Sequence, residues 1–189
     1  VVVVLSDHGE SLTEHGIYYD HHGLYDESIH VPLFIRPPGG ISTVCDELVQ
    51  ITDIAPTVLD YTGIDGLSDA DGQSLQNTIH DGESIDREFV LADEAHTQRR
   101  RKIRTQKKKL SYEVAEDTTC RYCEIQHAPE EELFELNNDP DETENCVSRE
   151  EQTVDQLRTK AEKAARELKS RSPSQTGSEA IRYDDEEEI

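Results

Sequence analysis

Val1-Val2-Val3-Val4-Leu5-Ser6-Asp7-His8-Gly9-Glu10 is the stretch on which the fold of this chain turns. Four β-branched residues in a row suit a strand covered on both faces, because a strand with one wet face alternates polar and apolar side chains. The run stops at Ser6, and an aspartate, a histidine and a glycine follow at once. A buried strand that delivers adjacent Asp and His to a glycine turn is how an α/β sheet presents ligands at its carboxyl edge. Such a strand needs neighbours and covering helices, yet the sequence opens inside it and contains no methionine. The sequence therefore reads as the C-terminal piece of a larger protein.

The 189 residues allow one domain, or a subdomain plus a tail. With 33% hydrophobic residues and no Trp, the core is thin and needs further surface to close it. Acidic residues outnumber basic ones 42 to 19, a net charge of −23. An acidic surface that stays soluble when salt screens its self-repulsion predicts a salt-adapted, haloarchaeal source. An acidic mesophilic protein would have the same balance, and either way nucleic acid is a poor partner. No apolar run approaches the roughly 20 residues of a membrane span, so no membrane partner is expected. Four cysteines, Cys45, Cys120, Cys123 and Cys146, are too few and too irregular for a disulfide framework, which favours free thiols in a reducing cytosol.

Moving outward, residues 10–29 read as a polar loop rich in Gly and His. A second strand is predicted over His30–Arg36, with Pro32 at its beginning because proline lacks a ladder donor, and it stops at Pro37-Pro38-Gly39-Gly40. Residues 44–51 give another extended stretch. A helix follows, capped by Thr52 or Asp53, with Pro56 in its first turn, Ile54, Val58 and Tyr61 on one face and Gly63 as its stop. Residues 64–86 form a turn-rich connector.

From residue 87, patches at Phe89–Leu91, Ile103, Leu110–Val114 and Cys123–Ile125 predict a small antiparallel sheet. Val154, Leu157, Ala161, Ala164 and Leu168 then mark one stripe of a C-terminal helix. The domain reading is 1–86 for the last part of an α/β domain, 87–171 for the sheet and helix, and 172–189 for a disordered acidic tail.

Six segments in order resemble the sulfatase family of the alkaline phosphatase superfamily, in its C-terminal half. They are Ser6–Glu10, Glu14-His15-Gly16, Tyr25-Asp26-Glu27-Ser28 running into His30–Arg36, Thr52–Thr57, Asp71-Gly72-Gln73-Ser74-Leu75, and Glu132–Leu136 leading to Asp139-Pro140-Asp141-Glu142-Thr143-Glu144-Asn145. The resemblance implies an alkaline-phosphatase-like mixed sheet sandwiched by helices, a calcium-type divalent site, and a formylglycine nucleophile. The nucleophile and the first pair of metal carboxylates belong to the half of the family pattern that these residues do not cover. No cysteine here is followed by the Pro and Arg that the nucleophile motif requires.

Asp7 and His8 match the family's second pair of metal ligands. Independently, a carboxylate and an imidazole on consecutive residues can face one ion only where the backbone bends, which Gly9 permits. Imidazole is an unusual ligand for a hard cation, which leaves Mg²⁺ and Mn²⁺ open. His21 stands where many relatives have a lysine that holds the sulfate or the leaving oxygen, and His22 is as accessible in so short a loop. Either can donate a hydrogen bond to the anion or pass a proton to the departing alkoxide. The expected substrate is a small-molecule or carbohydrate sulfate ester. The rival readings are a phosphodiester or phosphonate monoester hydrolase of the same superfamily, and a non-catalytic remnant.

Three further features have bland and sharp readings. Tyr18, Tyr19 and Tyr25 are candidates to line the substrate cleft, or exposed loop residues. The eight basic residues from Arg99 to Lys109 lack interleaved aromatics and read as strands whose outward faces are basic and pair with the acidic surface; gripping an anionic substrate is the alternative. Cys120, Cys123, His127 and Cys146 have the spacing of one zinc knuckle only, and free thiols are the better reading.

Overall fold

The computed structural model describes residues 1–64, 70–94, 99–114, 119–120 and 124–171. Strand β1 (Val2–Leu5) pairs antiparallel with β2 (Leu33–Arg36), Val2 facing Arg36 and Leu5 facing Leu33. Pro32 sits just before β2, where its missing N–H costs the ladder nothing. The ribbon departs from one expectation. Val2, Val4 and Phe34, which share a face, are 56%, 58% and 66% exposed, while Val3, Leu33 and Ile35 on the other face are half-buried. Among the described residues nothing covers the first face, so its apolar character is unmatched within this chain.

Between β1 and β2 the expected featureless loop contains a 3-10 turn at Glu14–Gly16 and a one-turn helix α1 (Asp26–Ile29). Ile17, fully buried, anchors the loop from inside. Residues 44–50 form no strand; a 3-10 turn at Ile51–Asp53 leads into helix α2 (Ile54–Thr62), which Gly63 ends in the left-handed conformation at φ 68°. The Asp53 carboxylate does not cap α2. It accepts the backbone N–H groups of Gln50 and Gln73 and a bidentate pair from Arg87.

The supposed connector after α2 includes helix α3 (Gln76–Asp81). Gly72 is obligatory in front of it, because a Cβ there would lie 2.0 Å from the Thr52 carbonyl oxygen. Two of the matched segments, Thr52–Thr57 and Asp71–Leu75, are thus one structural unit.

The rest is an antiparallel meander in the order β3 (Val90–Glu94), β4 (Arg100–Arg104), β5 (Lys108–Glu113), β6 (Glu131–Glu135). The fourth strand is Glu131–Glu135; of the expected patch Cys123–Ile125, Glu124 and Ile125 are in no strand and Cys123 lies outside the described residues. Helix α4 (Glu151–Arg171) packs on one face, where Ile103, Leu110, Tyr112 and Leu133 meet Val154, Leu157 and Ala161. The buried stripe continues through Ala165, not Ala164, and Leu168 is 40% exposed. The predicted acidic tail, 172–189, lies outside the described residues.

The basic segment is where expectation and structure differ most. Arg100, Arg101, Lys102 and Lys109 are all buried, Lys109 completely. By register, Arg100, Lys102, Arg104, Lys109, Ser111, Glu132 and Phe134 share the sheet face opposite α4. That face lies against residues 17–28: Lys102 Nζ donates to the Leu24 carbonyl at 3.2 Å and to Asp26 Oδ1 at 2.9 Å. An alternation that looks like a solvated strand from composition is here a buried ionic face, because its acidic partners come from far along the sequence.

Candidate metal centre

The chain leaves β1 at Leu5 and bends through Ser6, whose hydroxyl donates to the His8 carbonyl at 2.6 Å. Gly9 presses onto α1: its N–H donates to the Ser28 carbonyl at 2.8 Å, and a Cβ would lie 1.8 Å from the Glu27 carbonyl oxygen. Only glycine fits there, so the positions of Asp7 and His8 are tied to α1.

Asp7 and His8 converge. Asp7 Oδ1 accepts the His8 backbone N–H, and Oδ2 lies 3.9 Å from His8 Nε2. His8 Nδ1 lies 2.7 Å from the Gly9 carbonyl, which can only accept, so Nδ1 carries the proton and the Nε2 lone pair faces outward. That is the tautomer a metal-bound histidine adopts when a backbone carbonyl orients it. The Gly9 carbonyl and then the Asp7 and Glu10 carboxylates raise His8 above the ordinary imidazole value.

His21 joins from the far end of the loop. Its ring stacks on His8 at 4.0 Å between centroids, with Nδ1 3.9 Å from Glu10 Oε2 and 3.7 Å from Asp20 Oδ1. Ligating atoms of His8, Glu10 and His21 all lie within 4.8 Å of one another, close enough for one ion whose bonds are about 2.0–2.6 Å long. Glu10 is the member that the sequence reading gave no role. It stands inside the quoted Ser6–Glu10 segment, but nothing in that spacing shows a loop folding back to bring His21 beside it.

His21 and His22 part company. The Asp20 carboxylate accepts both backbone N–H groups, and a bridge between Ser11 and Asp20 closes the loop. His21 then points outward, more than half exposed, while the His22 ring turns inside, 3.2 Å from Asp20 Oδ2 and 4.8 Å from the His127 ring. Burial opposes ionisation of Asp20, but these backbone donors and the His22 ring outweigh it and hold its carboxyl below the usual range. Burial, with the His22 charge second, lowers His127.

The remaining candidates separate cleanly. Tyr18 and Tyr19 are about three-quarters exposed, and Tyr19 adopts φ 50°. Tyr25 is not a cleft residue: it is buried, donates to Glu132 Oε1 at 2.9 Å, and stacks flat on His15 at 3.6 Å. Burial, reinforced by the Glu132 charge, pushes its hydroxyl far above the ordinary value. His15 Nε2 also lies 3.2 Å from Glu27 Oε1. Cys146 sits in the apolar core under α4, Cys120 is buried, and Cys123 lies outside the described residues. No helix among the described residues is long and apolar enough to cross a membrane.

Comparison with known proteins gives the family of the chain. The family described as "N-sulphoglucosamine sulphohydrolase, C-terminal" matches residues 13–170. An arylsulfatase of Clostridium perfringens is 28% identical over 167 residues, 84% of this chain and 32% of that protein. An N-acetylglucosamine-6-O-sulfatase of Bacteroides thetaiotaomicron is 36% identical over 81 residues, 42% of this chain and 14% of that protein. A structure solved with its substrate D-glucosamine-2-N,6-O-disulfate superposes with a TM-score of 0.68 at 26% identity, covering 93% of this chain and 36% of that one. A phosphonate monoester hydrolase from Silicibacter pomeroyi shares the fold, with a TM-score of 0.68 at 22% identity over 89% of this chain and 34% of its own. The chain thus spans about a third of the length of the arylsulfatase it matches. It belongs to the N-sulphoglucosamine sulphohydrolase C-terminal family of the sulfatases.

Proposed function

We propose that this chain carries the second half of the cation site and the leaving-group side of a sulfuric ester hydrolase acting on a sulfated amino sugar. The observation that supports it best is the meeting of His8, Glu10 and His21 at the end of β1, with Asp7 Oδ2 3.9 Å from His8 and His8 in the tautomer that leaves Nε2 free. The amino-sugar reading rests on the relatives, one an N-acetylglucosamine-6-O-sulfatase and one solved with a sulfated glucosamine.

Asp7 and His8 hold the cation, with Glu10 beside them. When bound, the ion polarises the sulfuryl oxygens and offsets charge that develops there. Family resemblance favours Ca²⁺, whereas the mixed nitrogen and oxygen donors also suit Mn²⁺. His21 stands at the edge of this cluster and donates a hydrogen bond, then its proton, to the alkoxide oxygen released when the S–O bond breaks. His22, turned toward His127, orients the loop through Asp20 instead. The formylglycine nucleophile that the family resemblance implies comes from residues outside this chain, so the chain by itself turns over no ester.

In the longer protein that the resemblance implies, Asp7→Ala and His8→Ala each abolish cation-dependent turnover of an aryl sulfate, and unchanged rates in either would remove that residue from the site. His21→Ala slows esters with poor leaving groups most; an equal loss across a leaving-group series would sink the proton-donor role. A phosphonate monoester cleaved faster than every sulfate ester would move the assignment to the phosphonate hydrolases that share the fold.

A further inference from the structure

Asp26 and Glu142, 116 residues apart, meet at the ionic face of the meander. Glu142 Oε2 accepts the Asp26 backbone N–H at 2.8 Å, and the Lys109 ammonium lies against Glu142 Oε1. Lys109 also reaches Asp26 Oδ1 at 3.1 Å, Lys102 reaches the same oxygen at 2.9 Å, and Arg104 pairs with Oδ2. Lys102, Lys109 and Glu142 are at most 2% exposed. Burial opposes ionisation of Asp26, yet the Lys102 and Lys109 ammonium groups outweigh it and hold its carboxyl far below the usual range.

The turn that delivers Glu142 is built for this task. Asp139 accepts the backbone N–H groups of Thr143 and Glu144 at 2.9 Å each, and Asn145 ties the turn to β6 through Leu133 and Glu131. Glu142 itself takes φ 54°, uncommon for a residue with a Cβ. On the other side, Asp26 opens α1, whose Glu27 and Ser28 carbonyls are the surface that Gly9 presses on. An unbroken chain of contacts therefore runs from the C-terminal sheet through α1 to Asp7 and His8.

We propose that Glu142, Lys109 and Lys102 are positioning residues for the Asp7–His8 cation site: the C-terminal sheet clasps α1, and α1 sets where the two ligands stand. The inference rests on the cation reading of the previous section. It gives the meander a part in binding, beyond supporting the helix that covers it.

The test uses this chain and Mn²⁺, whose paramagnetism broadens the ring-proton resonances of nearby histidines in NMR. The wild-type chain shows broadening at His8 and His21 but not at His80. Its absence would bring down the cation reading and the clasp with it. Glu142→Gln weakens Mn²⁺ binding about tenfold. The double change Lys109→Met with Glu142→Gln restores the charge balance and brings the melting temperature back toward wild type, while Mn²⁺ affinity stays tenfold down. Leu157→Ala, which destabilises the apolar face alone, leaves the affinity unchanged.

Broadening intact in wild type, with full affinity in the double variant or with an equal loss in Leu157→Ala, would overturn the clasp and leave the cation reading standing. If Glu142→Gln does not fold, Arg104→Gln at the partly exposed edge of the same cluster takes its place, with the same tenfold loss expected. Full affinity in that variant counts against the clasp.

Discussion

The two faces of the β3–β6 meander are both buried, and they are buried by different physics. Toward α4, Ile103, Leu110 and Leu133 are fully covered by apolar side chains. Away from it, Lys102 and Lys109 are covered as deeply but face carboxylates and a carbonyl. The apolar face gains from leaving water whichever apolar group it meets, and so tolerates changes of shape. The ionic face gains only if every charge meets its partner, and leaves a large penalty if one is missing. One face supports packing of a helix; the other fixes the place of one particular loop.

Breaking the ionic face has the largest expected effect. Lys109→Met strips Asp26 and Glu142 of a fully buried cation and costs about 3–5 kcal/mol, seen as a lower urea midpoint of the chain. On the apolar face Leu133→Ala costs about 3 kcal/mol by the same measurement, set by the cavity it leaves. If Lys109→Met proves the milder of the two, the ionic face is tolerant and the contrast fails.

Acid separates the faces more sharply. A carboxylate whose folded value lies below its unfolded one stabilises the fold above the unfolded value, about 4 for Asp, and loses that contribution as pH falls through the folded value. Asp26 is of this kind, and so is Asp53 under Arg87. Stability should therefore fall steadily below about pH 4, with a shallower slope in Asp26→Asn and an unaltered slope in Leu133→Ala. Urea melts across that range check it.

Added salt should raise the melting temperature by screening the repulsion of 23 surplus negative charges, and by the same amount in Lys109→Met, because a buried cluster is poorly screened. The smallest effect is reserved for an exposed pair. Lys160→Ala removes the Lys160–Glu88 contact, whose side chains are 50% and 72% exposed, and changes stability by less than about 1 kcal/mol.

The same contrast explains what could be read from the residues alone. Helix α2 with its Gly63 stop, the end of β2 at Arg36, and most of the α4 stripe follow from period and punctuation, which are local properties; β2 itself begins only at Leu33, past Pro32, and not at His30. Helices α1 and α3 escaped because four and six residues hold too little of a 3.6-residue repeat to be seen. The basic strands read as outward faces paired with an acidic surface, because charged side chains usually line a wet face. What overrides that prior is Asp26 and Glu142, brought from opposite ends of the sequence. In the candidate centre, Asp7 and His8 were legible because they are adjacent, and Glu10 was not, because its relation to His21 exists only once Ser11 and Asp20 have closed the loop.

The ribbon of β1 and β2 has a practical consequence. Among the described residues no further strand pairs with its outer edges, and valine and phenylalanine side chains stand open beside them. Such a surface recruits any extended segment that drifts past, its own kind included. Dilution will decide how long a preparation of these 189 residues stays monodisperse, and a lysine introduced at Val2 or Val4 should lengthen that time without touching the rest of the molecule.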